Sequence, residues 1–473
     1  MTERLTAREI LALLADDATF TELPHPTGVC GPDGPLAWQG YDASRARAAE
    51  RTGERESVVV GTAGVLGTRA VLIAFEFGFL GGSLGERTGD RLVAAHEYAR
   101  DHRLPVVPLV ATGGSRMQEG MVALTQLQRV ARQSVLTREA GLPQIAVLRD
   151  PTTGGGWATL GAGADVILAL PGAQVGFAGS RVRPADADPA AYTAEAQVAC
   201  GAADAVVPAT ELRQVLGRWL RLLTGGADLT ASPRPAPVPF ALGAQDLPGS
   251  GWEAVRRARS PQRPRARAYL DAYFAHRVAI SGDRCGGADP DGMLCGFGGH
   301  QGRTVAYAAQ TGTATRPSGY RTAARLIRLA DRLGIPVLTL VDTPGAANDA
   351  EAERQGAGAA IAELFGAVAG ARTPVTTLVI GEGGSGGALA LAAPGDTWAT
   401  PDAYFSVIAP ESAAAILKRP DDQVEATADQ LRVRPQDLVE LGVIRGIVGP
   451  EGDFSPVARK RHMGNHDSTG HRP

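Results

Sequence analysis

The stretch "DHRLPVVPLVATGG" at residues 101–114 returns in altered form as "DRLGIPVLTLVDTPG" at 331–345. Each copy reads as a helix end, a proline, an apolar strand and a turn of small residues. Pro105 matches Pro336, Val110 matches Val341 and Gly114 matches Gly345, all at one offset of 231 residues. Farther along, "GLPQIAVLRDPTTGG" (141–155) parallels "ARTPVTTLVIGEGGSGG" (371–387). Both run from an apolar strand through a turn into Gly-Gly and a helix of small residues. A second strand opened by proline follows in each, "PGAQVGFAG" from Pro171 and "PDAYFSVIAP" from Pro401. Strands alternating with helical segments imply βα units, so the chain reads as two tandem copies of one α/β domain.

The copies are bounded by composition. Residues 1–228 form the first domain and 252–450 the second. Between them "LTASPRPAPVPFALGAQDLPGSG" (229–251) is rich in proline and reads as an extended linker. The segment 451–473, ending in "RKRHMGNHDSTGHRP", is polar and aperiodic and is expected to be disordered.

Gross composition narrows the function classes. At 473 residues the chain exceeds one ordinary core. With 44% hydrophobic and 21% charged residues it is composed like a soluble globular protein. A net charge of −3 leaves no electrostatic footprint for nucleic acid. No apolar run is long enough to span a membrane, and "MTERLTAREI" has no signal-peptide core, so a cytoplasmic enzyme is expected. Cys30, Cys200, Cys285 and Cys295 are scattered without a C-x-x-C pair, which argues against a zinc ribbon or a disulfide framework.

The glycines of "GEGGSGGALALA" (381–392) raise two chemical readings. Gly381, Gly383 and Gly386 fit G-x-G-x-x-G after a strand, the dinucleotide fingerprint. The first copy, "DPTTGGGW", lacks that pattern, and the helix after Gly387 is stopped early by Pro394-Gly395, so this reading is set aside. What the copies share is Gly-Gly at a helix start, Gly154-Gly155 against Gly386-Gly387. Some of these glycines serve only tight turns and close packing. A Gly-Gly helix start also leaves backbone N–H groups uncovered. A second strand-end turn, "ATGGSR" or "DTPGAA", can supply a partner donor, and two convergent N–H groups make an oxyanion hole suited to a thioester enolate.

These residues resemble a known family. "GGSRMQEG" (113–120), "DPTTGG" (150–155) and "VGFAGSRV" (175–182) are similar to the β component of the carboxyltransferase of bacterial acetyl-CoA carboxylase. "DTPGA" (342–346), "VIGEGGSGGALALA" (379–392) and "YFSVIAPESAAAIL" (404–417) are similar to its α component. The resemblance implies two crotonase-like domains of the ClpP/crotonase superfamily, acyl-CoA bound mainly by the first and carboxybiotin by the second. It places the thioester oxyanion hole on Gly113-Gly114 and Gly154-Gly155, and the biotin oxyanion hole on Gly345-Ala346 and Gly386-Gly387. It sets Ser115, Arg116, Phe177, Ala178 and Gly179 beside the acyl-CoA. The implied reaction moves a carboxyl group from carboxybiotin to the α-carbon of an acyl-CoA. Biotin would arrive on a separate carrier protein loaded by a biotin carboxylase. The resemblance also implies a homodimer or larger homo-oligomer in which the first domain of one chain faces the second domain of another.

The sequence departs from the family at several points. The β component carries a four-cysteine zinc ribbon, where this chain has only Cys30, so no metal is expected. "SGGAR" reads "TGGSR", "DTPGAYPG" reads "DTPGAAND" at 342–349, "SPEG" reads "APES" at 409–412, and "HQKG" reads "AQTG" at 309–312. The changes on the biotin side keep open a second reading, decarboxylation of a malonyl-type thioester without biotin.

Individual side chains carry weaker signals. Arg116 either orients CoA phosphates or braces the turn, and Glu119 reads as a fixer of loop geometry rather than a base. His96 and His102 sit six residues apart on a helix, do not share a face as metal ligands would, and read as solvated. Lys418 and Lys460, the two lysines of the chain, lack the Met-Lys-Met setting of a biotin attachment site. There is no P-loop to drive biotin carboxylation.

Overall fold

The computed structural model describes residues 4–26, 31–225 and 233–450. Among these, sixteen strands form two sheets of eight. The first holds β1 (Thr21–Glu22), β2 (Val58–Val65), β3 (Thr68–Phe75), β4 (Val106–Thr112), β5 (Ile145–Thr153), β6 (Val166–Ala169), β7 (Val175–Gly176) and β8 (Ala205–Val206). The second holds β9 (His276–Ile280), β10 (Met293–His300), β11 (Arg303–Gln310), β12 (Val337–Thr343), β13 (Val375–Gly384), β14 (Thr397–Ala399), β15 (Tyr404–Ser406) and β16 (Gly446–Ile447).

The sheets share one topology. The first is ordered β1-β2-β3-β4-β5-β6-β8 with β7 paired to β5, and the second β9-β10-β11-β12-β13-β14-β16 with β15 paired to β13. An antiparallel hairpin (β2-β3, β10-β11) precedes parallel strands joined by helical crossovers in both. The central strands β4 and β12 are buried along their whole length, as parallel strands covered on both faces must be. That requirement explains the mostly apolar sequences "VVPLVAT" and "VLTLVDT", in which Thr112, Thr339, Asp342 and Thr343 are buried as well.

The crossover helix Pro317–Leu333 shows the local logic. Proline opens it, Gly334 in the left-handed conformation (φ 66°) closes it, and Tyr320, Ala324, Ile327 and Ala330 bury one face. The two halves share one core: helix Ala209–Thr224 brings Leu216 and Trp219 into the same apolar cluster as Val278 and Phe297 of the second sheet. The Trp219 and Phe297 rings meet edge to face at 6.1 Å. Asp204, fully buried, adds an ionic tie by accepting from both Arg284 and Arg325 of the second half.

Two expectations need amendment. His96 is not solvated: it is fully buried between helices Glu86–Asp101 and Gly120–Glu139, with Nδ1 at 3.0 Å from the Thr137 hydroxyl. Its helical face points inward because Leu92, Ala95 and Ala99 face the same way. His102 lies at the exposed helix end, stacked on Tyr98 at 3.8 Å. The Pro-rich segment from 233 to 250 has no helix or strand, yet it packs: Ala236 and Ala241 join Tyr269, Tyr273 and Trp398 in a core of the second half. Residues 229–232, Cys30, Lys460 and the segment 451–473 lie outside the described residues. No helix among the described residues is long and apolar enough to cross a membrane.

Candidate functional site

The shared glycine motifs gather at the carboxyl ends of the central strands, one cluster in each half. In the first, β4 ends at Thr112 and the chain turns through Gly113, Gly114 (φ 111°), Ser115 and Arg116. Next to it β5 ends at Thr153 and passes at Gly154 (φ 63°) into the helical turn Gly154–Gly156. The two turns touch through their backbones: a Cβ on Gly154 would lie 3.1 Å from the Gly114 Cα. The second half repeats this with Gly345 (φ 143°) and Ala346 after β12, and Ser385 (φ 57°) opening the helix Ser385–Leu389 after β13.

Hydrogen bonding decides which donors are open. The Gly113 N–H donates to the Gly81 carbonyl at 2.9 Å, and the Gly114 N–H to the Thr112 hydroxyl at 3.0 Å. The Gly345 N–H donates in the same way to the Thr343 hydroxyl at 3.1 Å. Ser115 and Ala346 then bridge to Leu84 and Thr315. In both bridges the bonds are made by the flanking residues, so among the described residues the Ser115 and Ala346 N–H groups donate to nothing. The assignment to Gly113-Gly114 is therefore corrected: in this turn the open donor is Ser115, the counterpart of Ala346. A single sequence cannot show that a threonine hydroxyl two residues back consumes the glycine N–H.

On the helix side the Gly154 N–H donates to the Phe177 carbonyl at 3.0 Å. The N–H groups of Gly155 and Gly156, and of Gly386 and Gly387, lie in first helical turns and have no intrahelical acceptor. Strand pairing also corrects the register of the repeat. Thr112 pairs with Thr152 and Thr343 with Gly383, so the 231-residue offset continues through the glycines. Gly155 corresponds to Gly386 and Gly156 to Gly387, while Gly154 corresponds to Ser385, the two positions of positive φ. The three consecutive glycines at 154–156 admit either alignment, and only the pairing chooses.

Phe177, Ala178 and Gly179 follow β7 and border the Gly154 turn. The Phe177 side chain is 74% exposed, and Val407, which follows β15 in the second half, is equally exposed. Arg116 is placed differently from a phosphate ligand. It is 1% exposed, with Nη2 2.5 Å from Glu56 Oε1, Nη1 3.1 Å from Glu56 Oε2, and further bonds to Ser83 and the Tyr41 hydroxyl. Burial opposes the Glu56 charge, but Arg116 outweighs it and holds that carboxyl below the usual range. Arg116 thus braces the turn from beneath, and its assignment to acyl-CoA contact is corrected: its donors are spent inside the protein. Glu119 also braces, accepting from the Tyr41 hydroxyl and the Glu86 N–H.

The second cluster is braced by opposite charges. Asp342, fully buried, lies 2.5 Å from Arg263 and 3.2 Å from Arg265. Arg259 bridges Glu382 and Glu411, and the Tyr404 hydroxyl donates to Glu382 at 3.0 Å. Glu56, Tyr41 and these three arginines lie far along the chain from the turns they brace, with no motif to reveal them. Among the described residues no three His, Cys, Asp or Glu side chains gather as a metal site.

Each cluster can stabilise an oxyanion between a strand-end N–H and a helix-start N–H. Comparison with known proteins agrees with this duplicated design. Residues 36–205 match a family model described as "Carboxyl transferase domain". Residues 248–455 match one described as "Acetyl co-enzyme A carboxylase carboxyltransferase-like". An acetyl-coenzyme A carboxylase carboxyl transferase subunits beta/alpha protein of Salinispora arenicola is 40% identical, over 96% of this chain and 84% of the relative. A probable biotin-dependent acyl-coenzyme A carboxylase beta3 subunit of Mycobacterium tuberculosis is 35% identical, over 90% of this chain and 86% of its own. A crystal structure of transcarboxylase 12S shares the fold, with a TM-score of 0.76 at 22% identity over 94% of this chain and 86% of that one. The chain belongs to the carboxyltransferase family of the acyl-CoA carboxylases, with a β-like half followed by an α-like half in one polypeptide.

Proposed function

We propose that the protein transfers a carboxyl group from carboxybiotin, presented by a separate carrier protein, to the α-carbon of a short acyl-CoA. The observation that carries this reading is the duplicated pair of open N–H donors, Ser115 with Gly155 in one half and their counterparts Ala346 with Gly386 in the other. Two anionic oxygens have to be stabilised in such a transfer, and two matched donor pairs suit them.

The first pair would hold the thioester oxygen as the α-proton leaves and an enolate develops, with Phe177, Ala178 and Gly179 bordering the acyl group. The second pair would hold the ureido oxygen. Biotin supplies the carboxyl group and, once it has given that up, the base. The chain's own task is to bind, orient and place N–H dipoles, which is why it needs no catalytic triad. The Mycobacterium relative is named biotin-dependent, which supports the cofactor. A biotin carboxylase and carrier protein are the partners this requires. The functional units are taken as residues 1–228 and 252–450, joined by 229–251 and followed by a tail at 451–473. We place the two donor pairs of one working site on facing halves of two chains, in a dimer or larger assembly within the cytoplasm.

The test is to mix the protein with carboxylated carrier or free carboxybiotin and acetyl-, propionyl- or butyryl-CoA. A malonyl-type product is expected from at least one, and none from all three would defeat the reading. Release of CO2 from malonyl-CoA without biotin or carrier would favour the decarboxylase instead, a reading motivated by "DTPGAAND" and "AQTG" on the biotin side.

A further inference from the structure

Beneath the second glycine helix lies a polar floor that the first half lacks. Gln310, the last residue of β11, is fully buried, and its Nε2 donates to the Gly387 carbonyl at 3.2 Å and to the Thr315 hydroxyl at 3.3 Å. Tyr320, 1% exposed, donates its hydroxyl to the same Gly387 carbonyl at 3.1 Å. One carbonyl thus receives two side-chain donors. Gly387 also lies against the Ala346 turn, since a Cβ there would meet the Ala346 nitrogen at 2.5 Å.

The matching positions of the first half are apolar. Gln310 pairs with Met293 as Phe75 pairs with Val58, so Phe75 stands where Gln310 stands. Thr315 bridges Ala346 as Leu84 bridges Ser115, and the same offset carries Tyr320 onto Gly89. At Gly89 the space is taken by the buried Gln126, whose amide is satisfied by the Val122 carbonyl and Arg129, so this fold can be built without an unsatisfied amide there. The polar floor of the second half has a cost, because the Gln310 Oε1 is buried without a hydrogen-bond partner. A costly buried polar group confined to one of two equivalent sites marks a functional demand on that site.

We propose that Gln310 and Tyr320 are positioning residues that clamp the Gly387 carbonyl and so set the spacing between the helix-start N–H groups and the Ala346 N–H. Which reacting group this serves rests on the carboxyltransferase reading, in which the second half takes biotin. The clamp touches no substrate: it fixes the Gly387–Ala388 peptide plane, which meets the plane carrying the Gly387 N–H at the Gly387 Cα. Without it the helix start is held only by its own first turn, and small errors in donor placement are expensive in rate.

The test uses Tyr320→Phe and Gln310→Met in the whole chain. Carboxyl transfer from malonyl-CoA to free biotin should lose about tenfold in kcat in each variant, with the KM for malonyl-CoA changed by less than about twofold. Gln310→Met should unfold at no lower temperature than the parent, since it also removes the orphaned acceptor. Amide hydrogen exchange in a peptide spanning 382–392 should quicken in both variants. Unchanged kcat, a loss confined to the malonyl-CoA KM, or a fall in stability that matches the rate loss would each overturn the proposal. If the parent itself transfers nothing to biotin, the carboxyltransferase reading fails, and the exchange measurement still decides whether the clamp exists: unchanged exchange refutes it.

Discussion

Replacing Gly387 by alanine tests the geometry of the second donor pair directly. The new methyl group would sit 2.5 Å from the Ala346 nitrogen, 2.6 Å from the Tyr320 hydroxyl and 3.1 Å from the Gly345 carbonyl carbon. Ordinary contact begins at 3.4 Å, so the Ala346 turn must retreat by about 0.9 Å, with Tyr320 buried behind the helix start. Overpacking of this kind costs about 1–3 kcal/mol of stability. The same retreat parts the Ala346 N–H from the helix-start donors, and a misplacement near 1 Å costs about 10²-fold in rate. Gly386→Ala is the control: a Cβ there meets nothing within 4 Å, and its φ is ordinary, so stability should hold or rise by up to about 1 kcal/mol. The assay is single-turnover carboxyl transfer to free biotin together with urea unfolding of both variants. If Gly387→Ala keeps parental activity and stability, the close approach is not a working contact and the reasoning fails.

Other outcomes follow from the first half. Gly155→Pro removes a backbone N–H that side-chain deletion cannot reach, and should cut α-proton exchange on acyl-CoA by about 10²–10³-fold. The ring also presses on the Leu127 methyls, which a Cβ there would meet at 2.5 Å, so the exchange is read beside urea unfolding, and equal exchange in variant and parent would remove Gly155 from the oxyanion hole. Glu56→Gln removes the nearer of the two carboxylates beside buried Arg116, leaving Glu119 at 3.6 Å, and should cost about 1–3 kcal/mol by urea unfolding. Because the folded Glu56 sits below its ordinary value of 4.5, that advantage of the parent is complete above pH 4.5 and shrinks as the pH falls further. An advantage that grew on acidification would contradict the assigned pair. His96 is pushed down to about 4, by burial first and then by Arg100. The unfolded chain therefore binds a proton that the folded one refuses between pH 6.5 and about 4, and stability should decline across that interval. A His96→Asn variant should show a flatter decline there, measured as urea midpoints against pH.

Much of this protein is legible in one dimension. The repeat at 231 residues, the mostly apolar first halves of β4, β5, β12 and β13, and the glycine turns after them suffice to read two α/β copies with a pair of glycine turns at the strand ends of each. Those signals are local: strand burial and turn conformation are written within a few residues of where they act. What lay beyond reach was the identity of the open donors. Whether Gly114 or Ser115 offers its N–H depends on a hydroxyl bond from Thr112 and on a bridge to Leu84, thirty-one residues back. The register of 154–156 depends on strand pairing, because glycine carries no side chain to mark its place. The braces beneath the turns, Glu56 under Arg116 and Gln310 with Tyr320 under Gly387, join residues 60 to 77 apart. Buried charge and buried amides are tolerated only where a partner arrives through folding. A sequence shows which side chains need such partners, and the tertiary structure alone decides which ones they find.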